Sequence, residues 1–298
     1  MTTTILPPID ERLGVALRIG STLAFAAMVA CIKAVGDATP LGQIVFFRSA
    51  FALIPLCVFL WWTGDFPRGI ATKRPFGHIA RCLMGAAAMF TSFATIRLLP
   101  VAEATMLSYL APVVLALLGW GLLGERLTRR RAGGVALGFL GVLAFCGPAF
   151  AGILPPGALL GVGLGLLTAF LTAGALIQVR RLTQVGEKAG AIAFWFAVVS
   201  AVAGLATLPL GWALPDMQVF ALLVGAGIAG GVAHILMTLS FRYAEASALA
   251  PFEYLSVLWA VLMGVVLFAE IPGWSFVIAA PLILAGAVVA RPQRRVVI

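Results

Sequence analysis

Charge is scarce in this chain, and acid is scarcest. Eleven Asp and Glu stand against 20 Lys and Arg in 298 residues. Charged residues make up 10% of the sequence, where a soluble domain carries about 25%. Histidine occurs twice and cysteine four times. The cysteines (Cys31, Cys57, Cys82 and Cys146) stand singly in apolar stretches, without a CxxC or Cys/His spacing that would hold a metal. No Gly-Lys-Ser/Thr follows a glycine-rich turn, so ATP drive within this chain is excluded. Gly-x-Ser-x-Gly and His-Glu-x-x-His are absent, and no polar constellation for an intramembrane enzyme assembles. The reading is of a protein that is not an enzyme and needs no cofactor.

Apolar sequence fills the space that charge leaves. The chain is 62% hydrophobic with a mean hydropathy of +1.10, which places it in the membrane. A span needs roughly 20 apolar residues. Runs between polar or Pro/Gly breaks predict ten, at about 13–36, 40–62, 76–96, 101–121, 132–148, 157–179, 189–211, 217–241, 246–268 and 273–290. The polar start Met1–Leu13 does not read as a secretory signal. Alternate connections collect the basic residues: Arg12; Arg68, Lys73 and Arg74; Arg126 and Arg129 to Arg131; Arg180, Arg181 and Lys188; Arg242; Arg291, Arg294 and Arg295. By the positive-inside rule these connections and both termini are cytoplasmic, in a bacterial inner membrane. A net charge of +9 is thereby assigned to topology, and nucleic acid is not an expected partner.

The second half repeats the first. A shift of 145 residues lays Gly85–Gly141 on Gly230–Gly286 without a gap. Arg97 falls on Arg242, Tyr109 on Tyr254, Glu125 on Glu270 and Gly141 on Gly286. Matched Leu and Gly are cheap in apolar helices, but matched Arg, Tyr and Glu in one register are not. An odd number of spans per copy turns one copy upside down relative to the other. The predicted fold is an all-α integral membrane protein of two inverted five-helix repeats, residues 1–148 and 149–298. Inverted repeats underlie alternating access in secondary transporters.

Ionisable groups inside a membrane are functional candidates by default. Lys33, Asp37, Arg48 and Glu103 fall in the outer half and are assigned to gating. For Lys33 and Asp37 the plainer alternative is a salt-bridge cluster that ties helices together. The deeper Arg48 is a gate or an anion-binding group, closing the outer side by pairing with Asp37 or Glu103. Substrate contacts are assigned to Tyr109, Tyr254, Trp259, Glu253 and His234. Each half places a tyrosine beside a proline break, Ser108-Tyr109-Leu110-Ala111-Pro112 and Pro251-Phe252-Glu253-Tyr254, and broken helices in matching positions point to a transport site. Tyr109, Tyr254 and Trp259 would stack on an aromatic ligand. His234 and Glu253 either carry protons or are neutral packing groups. His78 and Arg81 read as interfacial.

Ten short spans, the endings Leu122-Leu123-Gly124-Glu125 and Leu267-Phe268-Ala269-Glu270, and Pro112 ahead of Gly138 and Gly141 resemble the drug/metabolite transporter superfamily and its EamA-type domain. The second copy departs from that pattern, with Val257 in place of the proline and Ala269 in place of the glycine. Within the superfamily the chain is similar to bacterial amino-acid exporters of the YddG type. The resemblance implies a central cavity ringed by spans 1, 3, 4, 6, 8 and 9. It implies export of neutral and aromatic amino acids, with the lipid bilayer, the metabolite and, in one version, protons as partners. The competing readings are a broad drug or cation exporter built on Glu253, and a lipid-handling membrane protein.

Overall fold

The computed structural model describes residues 11–37, 39–123, 129–150, 157–244, 249, 252 and 255–290. Among them every regular element is helical. The first half runs α1 (Glu11–Ala34), α2 (Leu41–Trp62), α3 (Pro75–Leu98), α4 (Val101–Ser108), α5 (Ala111–Leu123) and α6 (Arg129–Phe150). The second runs α7 (Ala158–Gln184), α8 (Ala189–Leu205), α9 (Met217–Tyr243), α10 (Leu255–Phe268) and α11 (Trp274–Ala290).

Proline sets several helix starts. Pro40 and Pro100 directly precede α2 and α4, and Pro75 begins α3; a missing amide hydrogen is no loss there. Asp216 caps α9 by accepting from the Val219 amide at 2.7 Å. Pro55 and Pro281 lie inside α2 and α11 without ending them, as membrane helices tolerate.

Six helices, α1, α2, α3, α7, α8 with the 3-10 turn that extends it, and α9, are long and apolar enough to cross a membrane. The pieces within α4 and α5, α6, α10 and α11 are apolar but shorter. The run expected as one span at 101–121 is two helices, broken at Tyr109 and Leu110. Pro112 lies in the first turn of α5, so it opens a new helix where a kink in a continuous one was expected. Apolar residues cover the outside of the bundle, among them Trp61 at 75% and Trp274 at 84% exposure. Such a surface belongs in lipid, and the protein is a multi-pass membrane protein.

The two halves interlock. α1 packs on α9, α3 on α7, α6 on α11, and α2 on both α8 and α9, while α10 rests on α1 and α4. Each of these contacts joins a helix of one half to a helix of the other. Glycine makes the closest of them. A Cβ at Gly286 would stand 2.6 Å from the Gly138 nitrogen and 2.7 Å from the Gly134 oxygen, so α6 and α11 meet backbone to backbone. The central apolar core includes Met28, Ile32, Met89, Phe93, Met106 and Leu223.

Candidate functional site

The end of the bundle expected to face outward is tied by side chains that satisfy helix termini. Lys33, in the last turn of α1, donates to the Ile96 and Leu99 carbonyls at 3.0 and 2.8 Å. These are orphan acceptors at the end of α3. The same ammonium meets Glu270 Oε1 at 2.7 Å. The other carboxylate oxygen of Glu270 accepts the Val101 amide at 2.8 Å, at the start of α4. Glu103 is buried beside this pair, and its charge acts with both partners. Arg97 donates to the Gly36 and Thr39 carbonyls and approaches Asp37 at 3.8 Å.

Two of the four expected gating residues therefore lie together, Lys33 and Glu103, with Asp37 at the same end but held by Arg97. Arg48 does not join them. Asp37 pairs with Arg97, and the guanidinium of Arg48 is turned to Met28 of α1 and His234 of α9. Its Nε lies 3.5 Å from the Met28 sulfur and its Nη2 lies 3.5 Å from His234 Nε2. The reason is packing: α2 lies against α9, and Gly230 leaves the space. A Cβ there would stand 3.3 Å from both Arg48 nitrogens. Arginine only donates, so His234 Nε2 accepts and the ring proton sits on Nδ1. Phe25 meets the His234 ring edge-on at 5.0 Å.

Tyr109 and Trp259 also reach the centre, each across the halves. The Tyr109 hydroxyl bonds Ser256 Oγ. Trp259 Nε1 donates to Thr22 Oγ1 at 3.2 Å. Ser256 lines an outer cavity of about 240 Å³ with Phe25, Met28, Ser92 and Ser108. Tyr254 and Glu253 lie outside the described residues.

An inner cavity of about 480 Å³ runs between α2, α8 and α9, from Asp65 and Lys188 at its mouth to Leu56, Ala193 and His234 at its deep end. Around that mouth the ties join loops to helix starts. Lys188 meets Asp65 at 3.0 Å with both side chains about half exposed. His78 Nε2 meets Glu187 Oε2 at 3.1 Å, and the Lys73 amide donates to Glu187 at 2.9 Å. Burial would raise the Glu187 carboxyl, but the bonds from Lys73, His78 and Thr72 and the charge on His78 hold it below its ordinary value.

Sequence reasoning missed Glu270 as the partner of Lys33, although the repeat had already placed it at the outer end as the copy of Glu125. It also missed Arg81. Expected at the interface, Arg81 lays its guanidinium 4.0 Å over the Phe196 ring and acts electrostatically on His234.

Residues 12–146 match the EamA-like transporter family. The first half of the chain thus carries an EamA-like transporter domain. This EamA-type chain is 27% identical over 265 residues to the pseudopaline exporter CntI of Pseudomonas aeruginosa, covering 87% of this chain and 89% of that one. It is 26% identical over 242 residues to the S-adenosylmethionine uptake transporter of Rickettsia prowazekii, covering 81% and 80%. A solved crystal structure superposes with a TM-score of 0.65 at 20% identity, covering 93% of this chain and 96% of the other. The shared fold thus extends over both halves. The EamA-type chain is a small-molecule transporter and not an enzyme.

Proposed function

We propose that this EamA-type transporter exports neutral and aromatic amino acids across the bacterial inner membrane by alternating access. One observation carries the reading: the outer end is tied by Lys33 and Glu270, while the 480 Å³ cavity opens at the other end and reaches mid-bundle. That asymmetry is the one expected of an inward-open state. Lys33, Asp37 and Glu103 then belong to the outer gate, and Tyr109, Tyr254, Trp259, Glu253 and His234 to the substrate path.

Ten spans in two inverted repeats, 1–148 and 149–298, remain our reading of the architecture, with both termini cytoplasmic. Its support is the exchange symmetry of the packing. Swapping each helix for its repeat copy turns the α1 and α9 contact into the α7 and α3 contact, and the α6 and α11 contact into itself. One relative's name gives export and another's gives uptake, so net direction follows the substrate gradient in a facilitated cycle.

Counterflow of labelled phenylalanine, tryptophan and leucine in proteoliposomes tests this. Uptake into vesicles preloaded with the same amino acid, above that of empty vesicles and unchanged by an imposed proton gradient, is the expected result. No counterflow with any of them would reject amino acids as substrates. A dependence on the proton gradient would restore the proton-carrying roles of Glu253 and His234.

A further inference from the structure

Arg48 is 5% exposed, and a guanidinium carries five donors. Its partners are a thioether and a neutral imidazole nitrogen, neither of which is an anion. Arg81 adds a second cation, with Nε and Nη1 buried and without hydrogen-bond partners. Both charges act on His234. Among the described residues no carboxylate faces any of the three. A buried charge lacking a counterion is strongly destabilising, so a chain that keeps two of them beside one histidine is built for something that arrives from outside.

The place is as informative as the charge. Phe25 and Met28 line the outer cavity, and they touch His234 and Arg48 respectively. His234 itself closes the deep end of the inner cavity. The Arg48 and His234 layer thus adjoins both cavities, through His234 on one side and Met28 and Phe25 on the other. Gly230 leaves room for the guanidinium there.

We infer that Arg48, with His234 and Arg81, binds the carboxylate of the substrate, which makes the transported class carboxylate-bearing metabolites. The inference rests on the transport reading above. The planar fork of Arg48 matches a carboxylate in bidentate fashion. On binding, the carboxylate takes over the Arg48 donors that now point to the Met28 sulfur and the imidazole. The apolar walls formed by Phe25, Met28 and Leu56 are left for the rest of the molecule. A cation exporter would place the opposite charge here.

Thermal unfolding of the full chain in detergent, with matched acid and amide probes, tests the site. The pairs are phenylalanine and phenylalaninamide, tryptophan and tryptophanamide, leucine and leucinamide, and 3-phenylpropionate and 3-phenylpropionamide, with inorganic phosphate as a separate arm. The wild type should be stabilised by acids and not by their amides. Arg48→Met should unfold at the wild-type temperature or above without ligand, because an unpaired buried charge is gone, and should bind the acids at least about tenfold more weakly. Arg48→Lys should keep the fold and still lose affinity, because the fork is gone.

A loss of folded yield or a fall in ligand-free stability in Arg48→Met would make Arg48 a structural counterion and overturn the inference. So would equal stabilisation by acids and amides, stabilisation by phosphate alone, or none by any acid. Counterflow separates the two failures. If amino acids are still transported while acids and amides bind alike, the site falls and the transport reading stands.

Discussion

The two ends of the bundle are held in different ways. At the outer end, Lys33 and Glu270 are 16% and 19% exposed, and each also satisfies backbone groups at a helix terminus. At the inner end, Lys188 and Asp65 are 56% and 51% exposed and join only loop to loop and helix start. Partly buried charges that also cap helices cannot separate cheaply, whereas exposed pairs exchange with water at little loss. The Lys33 and Glu270 tie is therefore the harder of these two pairs to break. The inner end, where the larger cavity opens, adds one buried tie of its own, His78 to Glu187 at 4% and 6% exposure.

Breaking the outer tie has the largest expected effect. Lys33→Met or Glu270→Gln alone leaves its partner unpaired and should destabilise the protein by about 3 kcal/mol. The double variant should recover part of that loss, which a thermal double-mutant cycle measures. A cysteine at Ser92, which lines the outer cavity, should label faster from outside in either single variant. Equal labelling would mean that the pair only packs.

The aromatics assigned to the proposed substrate path come next. Tyr109→Ala, Tyr254→Ala and Trp259→Ala should each weaken counterflow of an aromatic amino acid by roughly 1–3 kcal/mol in half-saturation, at normal folded yield. Tyr109→Phe keeps the ring and loses only the bond to Ser256, about 1 kcal/mol of stability. No change in counterflow across the three alanine variants would remove them from the path.

A smaller effect belongs to Ala269, just after α10. Its φ of 54° lies in the region that disfavours a side chain. Ala269→Gly should stabilise the protein by about 1 kcal/mol in thermal unfolding. The exposed Asp65 and Lys188 pair has the smallest effect. Asp65→Asn should cost no more than about 0.5 kcal/mol, and salt should erase the difference. Glu187 sharpens the contrast through pH. Its folded value lies below its unfolded one, so its contribution is complete above the ordinary carboxylate range, about pH 4.3, and is lost as pH falls through the folded value. The stability difference between wild type and Glu187→Gln should shrink as pH falls over that range.

Much of this was legible in the sequence because a membrane leaves few options. Apolar run lengths gave the helices to within a few residues, as for α2 at 41–62 and α9 at 217–243. They gave a continuous helix at 101–121, where the chain breaks at Tyr109, because hydropathy does not register backbone bonding. Depth identified Lys33, Arg48, Glu103 and His234 as candidates. It did not identify partners, which depend on which helix faces pack. Arg48 therefore looked like a match for Asp37, when α9 offers it the seat at Gly230 beside His234. The glycine in the family pattern at 269 was also informative: Ala269 stands there with a φ of 54°, a conformation that glycine adopts without strain.

The seam between α6 and α11 bears on ancestry. Gly141 and Gly286 are copies of one position, and both lie in it: a Cβ at Gly141 would stand 3.0 Å from the Ile283 nitrogen, and one at Gly286 would meet Gly138. Under the inverted reading, a helix here packs against its own duplicate. A single five-helix chain able to insert in either orientation would bury the same glycine face against a second copy of itself. The seam is not symmetric in detail, since Gly138 in one copy answers to Ile283 in the other, so divergence after duplication has reshaped its flanks while the glycine at 141 and 286 still serves the same close approach.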